Sequence, residues 1–167
     1  MDSSGNTAAP PRTGRPVIFG EALYDTFPDG AEVLGGAPFN VAWHLQGFGL
    51  SPLFISRVGD DAAGRRVRET MASWGMDTAG LQVDDRHPTG RVEVSIAGGQ
   101  PRFAILAGQA YDFIAAASAM GAVARIAPAL LYHGTLAVRE AASHDALRRL
   151  RAAGPPVFID VNLRAPW

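Results

Sequence analysis

The chain contains no cysteine. Disulfides, thiol nucleophiles and cysteine-ligated zinc or iron–sulfur sites are therefore excluded. Lysine is absent too, so all 15 basic residues are arginine. A Walker-A phosphate loop needs its lysine, and Schiff-base or pyridoxal chemistry needs an amine. This chain alone can build none of these. A charge excess is also missing. The net charge of −1 leaves no electrostatic footprint for nucleic acid or an anionic membrane. No apolar run is long enough to span a bilayer. Residues 1–15 hold no apolar core for a signal peptide, so the default compartment is the cytoplasm.

What is present reads as globular. The 167 residues are 47% hydrophobic and 19% charged, which suits one domain, or part of one, with a sizeable core. Residues 1–15 are rich in Ser, Gly, Thr, Ala and Pro and read as a disordered tail. The ordered chain is expected from Pro16. Val17-Ile18-Phe19-Gly20 reads as a buried strand, with further extended segments at Tyr24–Phe27 and Glu32–Leu34. Pro38 to Phe48 reads as a helix with Val41, Leu45 and Phe48 on one face and Gly49 as its stop. Leu53–Val58 is the next strand. Asp60-Asp61 caps a helix whose face carries Gly64, Val67, Met71 and Trp74, closed by Gly75. This alternation predicts parallel βαβ units.

The pattern changes between Leu81 and Leu106. Arg91 to Ile96 alternates polar and apolar residues, Gly98-Gly99-Gln100-Pro101 is a turn, and Arg102 to Leu106 returns. A hairpin inside an α/β chain reads as a small separate sheet covering something. Helix–strand alternation then resumes. Ala115–Ala127 is a helix former and Leu130–His133 a strand. Arg139–Arg151 is a helix with Leu147 and Leu150 inward, and Pro156–Val161 a strand.

Gly35-Gly36-Ala37-Pro38-Phe39-Asn40 places two glycines before a helix start. Glycine lets backbone approach a ligand, the helix start offers free N–H donors, and Asn40 both donates and accepts. A Gly-rich capping turn would read the same way. Asp25 follows the first strand, and Asp160-Val161-Asn162-Leu163-Arg164 the last. Ligands of open parallel sheets sit beyond such strand ends. A turn aspartate and a solvated edge are the plain alternatives. His44, His87, His133 and His144 form no metal-binding spacing, and no G-x-S-x-G elbow occurs. Gly47-Phe48-Gly49 lacks the later glycine of a dinucleotide fingerprint, which disfavours an oxidoreductase. Asp84-Asp85 reads as a solvated loop.

These segments resemble the ribokinase-like, or PfkB-type, carbohydrate kinases. Gly35-Gly36, Asn40, Ala42, Gly49 and Gly59 fall at the constrained positions of the family's N-terminal pattern. Gly20-Glu21-Ala22-Leu23-Tyr24-Asp25 resembles its opening strand and sugar-binding aspartate. Arg57 to Gly64 resembles its second strand turning into a helix, and Pro88-Thr89-Gly90 the start of its lid. Tyr111-Asp112-Phe113-Ile114 and Asp160 to Arg164 are similar to the fructokinase branch.

The resemblance implies a three-layer α/β/α, Rossmann-like fold with a mostly parallel sheet and a small β-hairpin lid. Residues 16–167 would form its sugar-binding portion, with lid segments at about 24–34 and 81–107. Asp25, Gly35, Gly36 and Asn40 would hold sugar hydroxyls. Val92 and Val94 would face the sugar from the lid, and Thr135 and Arg164 would add contacts. Asn162 would orient the substrate or approach the nucleotide side.

The family's second motif, a Gly-Ala-Gly-Asp stretch carrying the catalytic base, does not occur in these residues. Nor does its Asn-x-x-Glu motif for magnesium. The expectation is the sugar-binding half of a kinase for fructose or a related ketose, whose intact form uses ATP and Mg2+. The chain alone is expected to bind neither and to be inactive. The alternatives are a non-catalytic sugar-binding half-domain, or a kinase for 2-keto-3-deoxygluconate or a nucleoside. A homodimer through the lid is the further expected partner.

Overall fold

The computed structural model describes residues 14–162. Most of the expected tail, and Arg164 among the site candidates, lie outside these residues. Order begins earlier than Pro16, because Arg15 already belongs to a strand. Its guanidinium donates to Ser51 O at 2.6 Å and pairs with Asp77 at 3.0 Å.

That strand is β1 (Arg15–Phe19). It is followed by β2 (Leu23–Thr26), β3 (Glu32–Gly35), helix α1 (Ala37–Gly47), β4 (Leu53–Gly59), helix α2 (Ala62–Ser73) and β5 (Leu81–Asp84). Then come β6 (Gly90–Ala97), β7 (Gln100–Ile105), α3 (Ala116–Val123), β8 (Pro128–His133), α4 (Ala141–Ala152) and β9 (Val157–Ile159). Single 3-10 turns cover Ala110–Phe113 and Leu136–Val138.

The main sheet runs β5-β4-β1-β8-β9, parallel throughout. Val17, Ile18 and Phe19 of β1 sit opposite Leu53, Phe54 and Ile55 on one side and Leu131, Tyr132 and His133 on the other. Strands buried on both faces read as continuous apolar runs because helices cover both faces. Here Val17, Phe19, Leu53 and Ile55 pack toward Leu147 and Leu150 of α4 and Ala119 of α3. Their alternates Ile18, Phe54 and Val58 pack toward Phe39 of α1 and Val67 and Met71 of α2. Ile18, Phe54 and Ile55 are wholly buried, each worth about 1.5–3 kcal/mol of hydrophobic transfer.

A second sheet has the order β3-β2-β6-β7. β2 pairs antiparallel with β3 and parallel with β6, and β6–β7 is the expected hairpin. Gly98 and Gly99, at φ 60° and 76°, form its two-residue turn, the conformation such turns require. Gln100 and Pro101 belong to β7 rather than to the turn.

Several expectations are corrected. Leu81–Asp84 is not lid but β5, the edge of the main sheet beside β4. The second sheet's later strands begin at Gly90. α1 buries Pro38, Phe39 and Ala42, whereas Phe48 is 79% exposed. Proline and a small alanine let that face sit close to the sheet, which the apolar count alone did not reveal. Trp74 lies at the end of α2 and stacks on Trp43 at 4.9 Å, half exposed. Asp84 is not solvated. Its carboxylate is buried against Arg57 and His87, both at 3.0 Å, while Asp85 is exposed.

Asp61 ties the two sheets together. As N-cap of α2 it accepts from the Gly64 N–H at 2.7 Å. It also accepts from the Thr89 N–H at 2.9 Å and the Thr89 hydroxyl at 2.7 Å. Thr89 Oγ1 in turn accepts from the Gly59 N–H at 2.9 Å. Burial alone would raise the Asp61 pKa, but these donors outweigh it and hold it below the usual aspartate value. The native state thus favours the ionised form. Its contribution is present above the ordinary aspartate range and lost as pH falls through the lowered value. Asp61→Ala should cost roughly 2 kcal/mol in urea melts at neutral pH, from the cap and the stranded Thr89 donors together. That difference should shrink as the melts are moved into the acid range.

Candidate functional site

The chain leaves β1 towards β4 on one side and later returns to β8 on the other. Such a reversal opens a crevice at the carboxyl ends of the strands. A cavity of about 380 Å3 lies there, between the ends of β1, β8 and β9, the start of α1 and the second sheet. Glu21 follows β1, Gly134 and Thr135 follow β8, and Asp160 and Asn162 follow β9. Gly36, Ala37 and Asn40 come from the start of α1. Leu23, Asp25, Val92, Phe103 and Ile105 come from the second sheet, and Leu136 completes the lining.

Residues far apart in sequence therefore meet. The structure brings Asp25, Gly36, Asn40, Val92, Thr135 and Asn162 into one cavity. It does not bring Gly35 or Val94 to its wall. Gly35 ends β3 opposite Leu23 and is buried. A methyl group added there would stand 3.9 Å from Asp25 Oδ2, so Gly35 backs the site without lining it. Val94 is buried opposite Phe103 on β7, and Phe103 takes the wall position instead. Phe103 and Ile105 escaped notice, although their period-two spacing against Val94 and Val92 carries the signal.

The floor depends on tight backbone contact. Gly36 adopts φ 106° and ψ 130° just before α1, a region side chains with a Cβ rarely enter. A Cβ on Gly36 would lie 2.6 Å from the Glu21 carbonyl oxygen, and one on Gly20 would lie 2.3 Å from Pro38 Cγ. The start of α1 is thus pressed onto the end of β1. Its first turn carries no acidic residue of its own, and its Ala37 N–H bonds the Glu21 carboxyl instead.

Glu21 also escaped notice as a site residue. It is 4% exposed, and its Oε2 is buried without a hydrogen-bond partner. Burial, with the negative charge of Asp160, raises its pKa to about 7; the N–H groups of Glu21 and Ala37, and Arg139, oppose the rise. Beside it the Tyr132 hydroxyl donates to Asp160 Oδ2 at 3.1 Å. Burial, that bond and the Asp160 charge push the tyrosine up to about 12. The sequence signal for Glu21 is an acid placed directly after an apolar strand.

Carboxyl groups that accept, an asparagine amide that does both, and an apolar lid wall suit a small molecule bearing several hydroxyls. Among the described residues, no group of three or more His, Asp or Glu side chains could hold a metal ion. Among the same residues, no helix is long and apolar enough to cross a membrane.

Known proteins share this fold. The chain is 29% identical over 156 residues to a fructokinase of Salmonella typhimurium, covering 88% of this chain and 50% of that one. Its structure superposes on the crystal structure of an uncharacterized sugar kinase from Pyrococcus horikoshii. The TM-score is 0.78 at 25% identity, covering 89% of this chain and 53% of the other. Fructokinase of Vibrio cholerae in apo form gives a TM-score of 0.74 at 25% identity, with coverage of 92% and 55%. The chain spans about half the length of the relatives it matches. The three-layer fold with its parallel sheet is that of the ribokinase-like sugar kinases. With strands, lid and cavity in this order, and with the model of the pfkB family carbohydrate kinases matching residues 20–166, the chain belongs to that family.

Proposed function

We propose that this chain carries the sugar site of an ATP-dependent sugar kinase acting on fructose or a related ketose. The observation that carries the reading is the meeting of Asp25, Gly36, Asn40 and Thr135 in one cavity at the strand ends, under a β lid. Asp25 and Asn40 would hold hydroxyls, and Gly36 would let the ligand approach the backbone. Val92, with Phe103 and Ile105, would cover its apolar edges. Asn162 lies on the same wall and would orient the substrate. Further support comes from a double mutant of Vibrio cholerae fructokinase described with fructose, ADP and potassium ion bound, similar at a TM-score of 0.71 and 25% identity. The Pyrococcus horikoshii sugar kinase is also described in complex with ATP.

ATP and Mg2+ belong to the reaction of the whole kinase in this reading. Positioning and electrostatics supply most of the rate in such transfers. The catalytic aspartate of the Gly-Ala-Gly-Asp motif has no counterpart in these 167 residues. We therefore assign sugar binding, not phosphoryl transfer, to this chain by itself. A lid-to-lid homodimer belongs to the same reading, since Val33, Ile96 and Phe103 of the second sheet are each more than half exposed.

Calorimetric titration with fructose should show binding, and Asp25→Ala and Asn40→Ala should each weaken it by about tenfold or more with an unchanged melt. Binding unaffected by both substitutions would remove the sugar from this cavity. Incubation with ATP, Mg2+ and a panel of sugars should yield no sugar phosphate; turnover by the pure chain would place a catalytic base within it. In sedimentation velocity the chain should run as a dimer and Ile96→Glu as a monomer. A wild-type monomer would end the dimer assignment.

A further inference from the structure

Among the described residues, Glu21 is the cavity-lining carboxyl that combines near-complete burial with an unpartnered oxygen. It is 4% exposed, and Oε2 has no hydrogen-bond partner. A buried polar atom left unpaired costs on the order of 1–3 kcal/mol. A fold tolerates such an atom where something else completes it. The cavity wall is where a ligand would do so. Gly36 packs directly on this residue, within 3.2 Å of Glu21 Cγ for an added Cβ. The ligand-binding glycine and the unpaired carboxyl are therefore one assembly.

We propose that Glu21 is a ligand-contacting residue of this cavity, holding one ligand oxygen through Oε2 with its carboxyl in the neutral, donating form. The proposal rests on the sugar-site reading and deepens it. It gives the site a donor where Asp25 and Asp160 supply acceptors.

The surroundings favour the neutral form. Asp25 on β2 and Asp160 after β9 line the same cavity. Three ionised carboxylates would repel one another there, and entry of a ligand would strip the remaining water. Tyr132 on β8 and Tyr111 both interact with the Glu21 charge. Their hydroxyls stay protonated and neutral, so neither adds a charge beside Glu21. Among the described residues, Arg139 is the cation that bears on it. It bonds both oxygens of Asp112 at 2.8 Å, and also Leu106 O and the Tyr111 hydroxyl. Its influence on Glu21 ranks below burial, the two backbone N–H groups and Asp160. Burial dominates and lifts the carboxyl to about 7, within reach of ordinary buffers.

The test is calorimetric titration of the 167-residue chain with fructose at about pH 6 and about pH 8.5, comparing wild type, Glu21→Gln and Glu21→Leu. If only the neutral form binds, the competent fraction falls roughly 30-fold between these values and apparent affinity falls with it. Glutamine keeps a donor and cannot ionise. Glu21→Gln should bind like the wild type at the lower pH and lose the pH dependence. Glu21→Leu should bind about tenfold or more weaker at both, with a cooperative melt retained.

If both variants bind with the wild-type affinity and pH profile, Glu21 serves only the helix start and the proposal fails. If Glu21→Gln loses binding at both pH values while the wild type tightens as pH rises, the ionised form is the partner and the proposal fails. A carboxyl-carbon NMR titration of the ligand-free chain supplies a readout independent of sugar. Ionisation in the ordinary glutamate range would overturn the proposal whatever binds. If the wild type binds no sugar of the panel, the sugar-site reading fails and this inference falls with it. Sugar binding that ignores residue 21 sinks this inference alone.

Discussion

The seam between the end of β1 and the start of α1 is the contact on which the site depends. Gly36 lies against the Glu21 carbonyl, and Gly20 against Pro38, at distances that leave no room for a Cβ. Were α1 to begin a few ångströms further out, the Ala37 N–H would no longer reach the Glu21 carboxyl at the end of β1. Asn40, one turn along, would move with the helix. The apolar side of α1 enforces the approach. Phe39 and Ala42 are buried against Ile18 and Phe54, so the core clamps the helix and the glycines make the clamp sterically possible. Packing and site geometry are one constraint.

That seam also sets the electrostatics. A carboxyl attached to the end of β1 is carried into the interior by the same contact, and burial raises its pKa. Asp160 reaches the cavity from another strand end, held by the Tyr132 hydroxyl and by its own N–H to His133 O at 3.0 Å. A parallel sheet delivers its carboxyl ends to one rim, so acids placed after separate strands converge without any sequence proximity. Polyhydroxylated ligands can meet such a group because each hydroxyl both donates and accepts. In the sugar-site proposal the apolar wall of Val92, Phe103 and Ile105 would complete the match, since sugars also present C–H faces.

The sequence disclosed the layers more readily than the walls. Val17 to Phe19 and Leu53 to Ile55 are unbroken apolar runs, as strands covered on both faces are, and the lid hairpin announced itself by strict alternation. Asp25, Gly36 and Asn40 were legible because strand ends and helix starts are marked by residue type. The misses share a cause. Leu81–Asp84 is a short edge strand whose place follows from pairing with Ser56–Gly59, a contact no local pattern encodes. Phe103 and Ile105 stand on a strand most of whose residues are exposed, so alternation there had no buried set to point to. Asp84 looked like half of an acidic loop until Arg57 arrived from β4 to pair with it beside the neighbouring His87. Glu21 looked like any polar residue after a strand, because its burial is produced by Gly36, fifteen positions on. Tertiary partners decided each case.

The lid's attachment explains how a small second sheet can define a binding site. Its strands β2 and β3 emerge straight from β1 and run into α1, so their ends are fixed by the seam itself. Strand β6 starts at Gly90, where an added Cβ would meet Tyr111, the Ala22 carbonyl and Leu23. Just before it, Thr89 is locked to Asp61 and Gly59. Beyond β7, the Leu106 carbonyl accepts from Arg139, whose guanidinium is held by the buried Asp112. Breaking that anchor would strand a buried carboxylate, a cost of about 3–5 kcal/mol. Both roots of the hairpin are therefore tied to the main body by buried polar groups, while its far turn, Gly98-Gly99, touches nothing that a Cβ could meet. A lid fixed at its roots has its wall residues in place before a ligand arrives. Less ordering is then charged against binding.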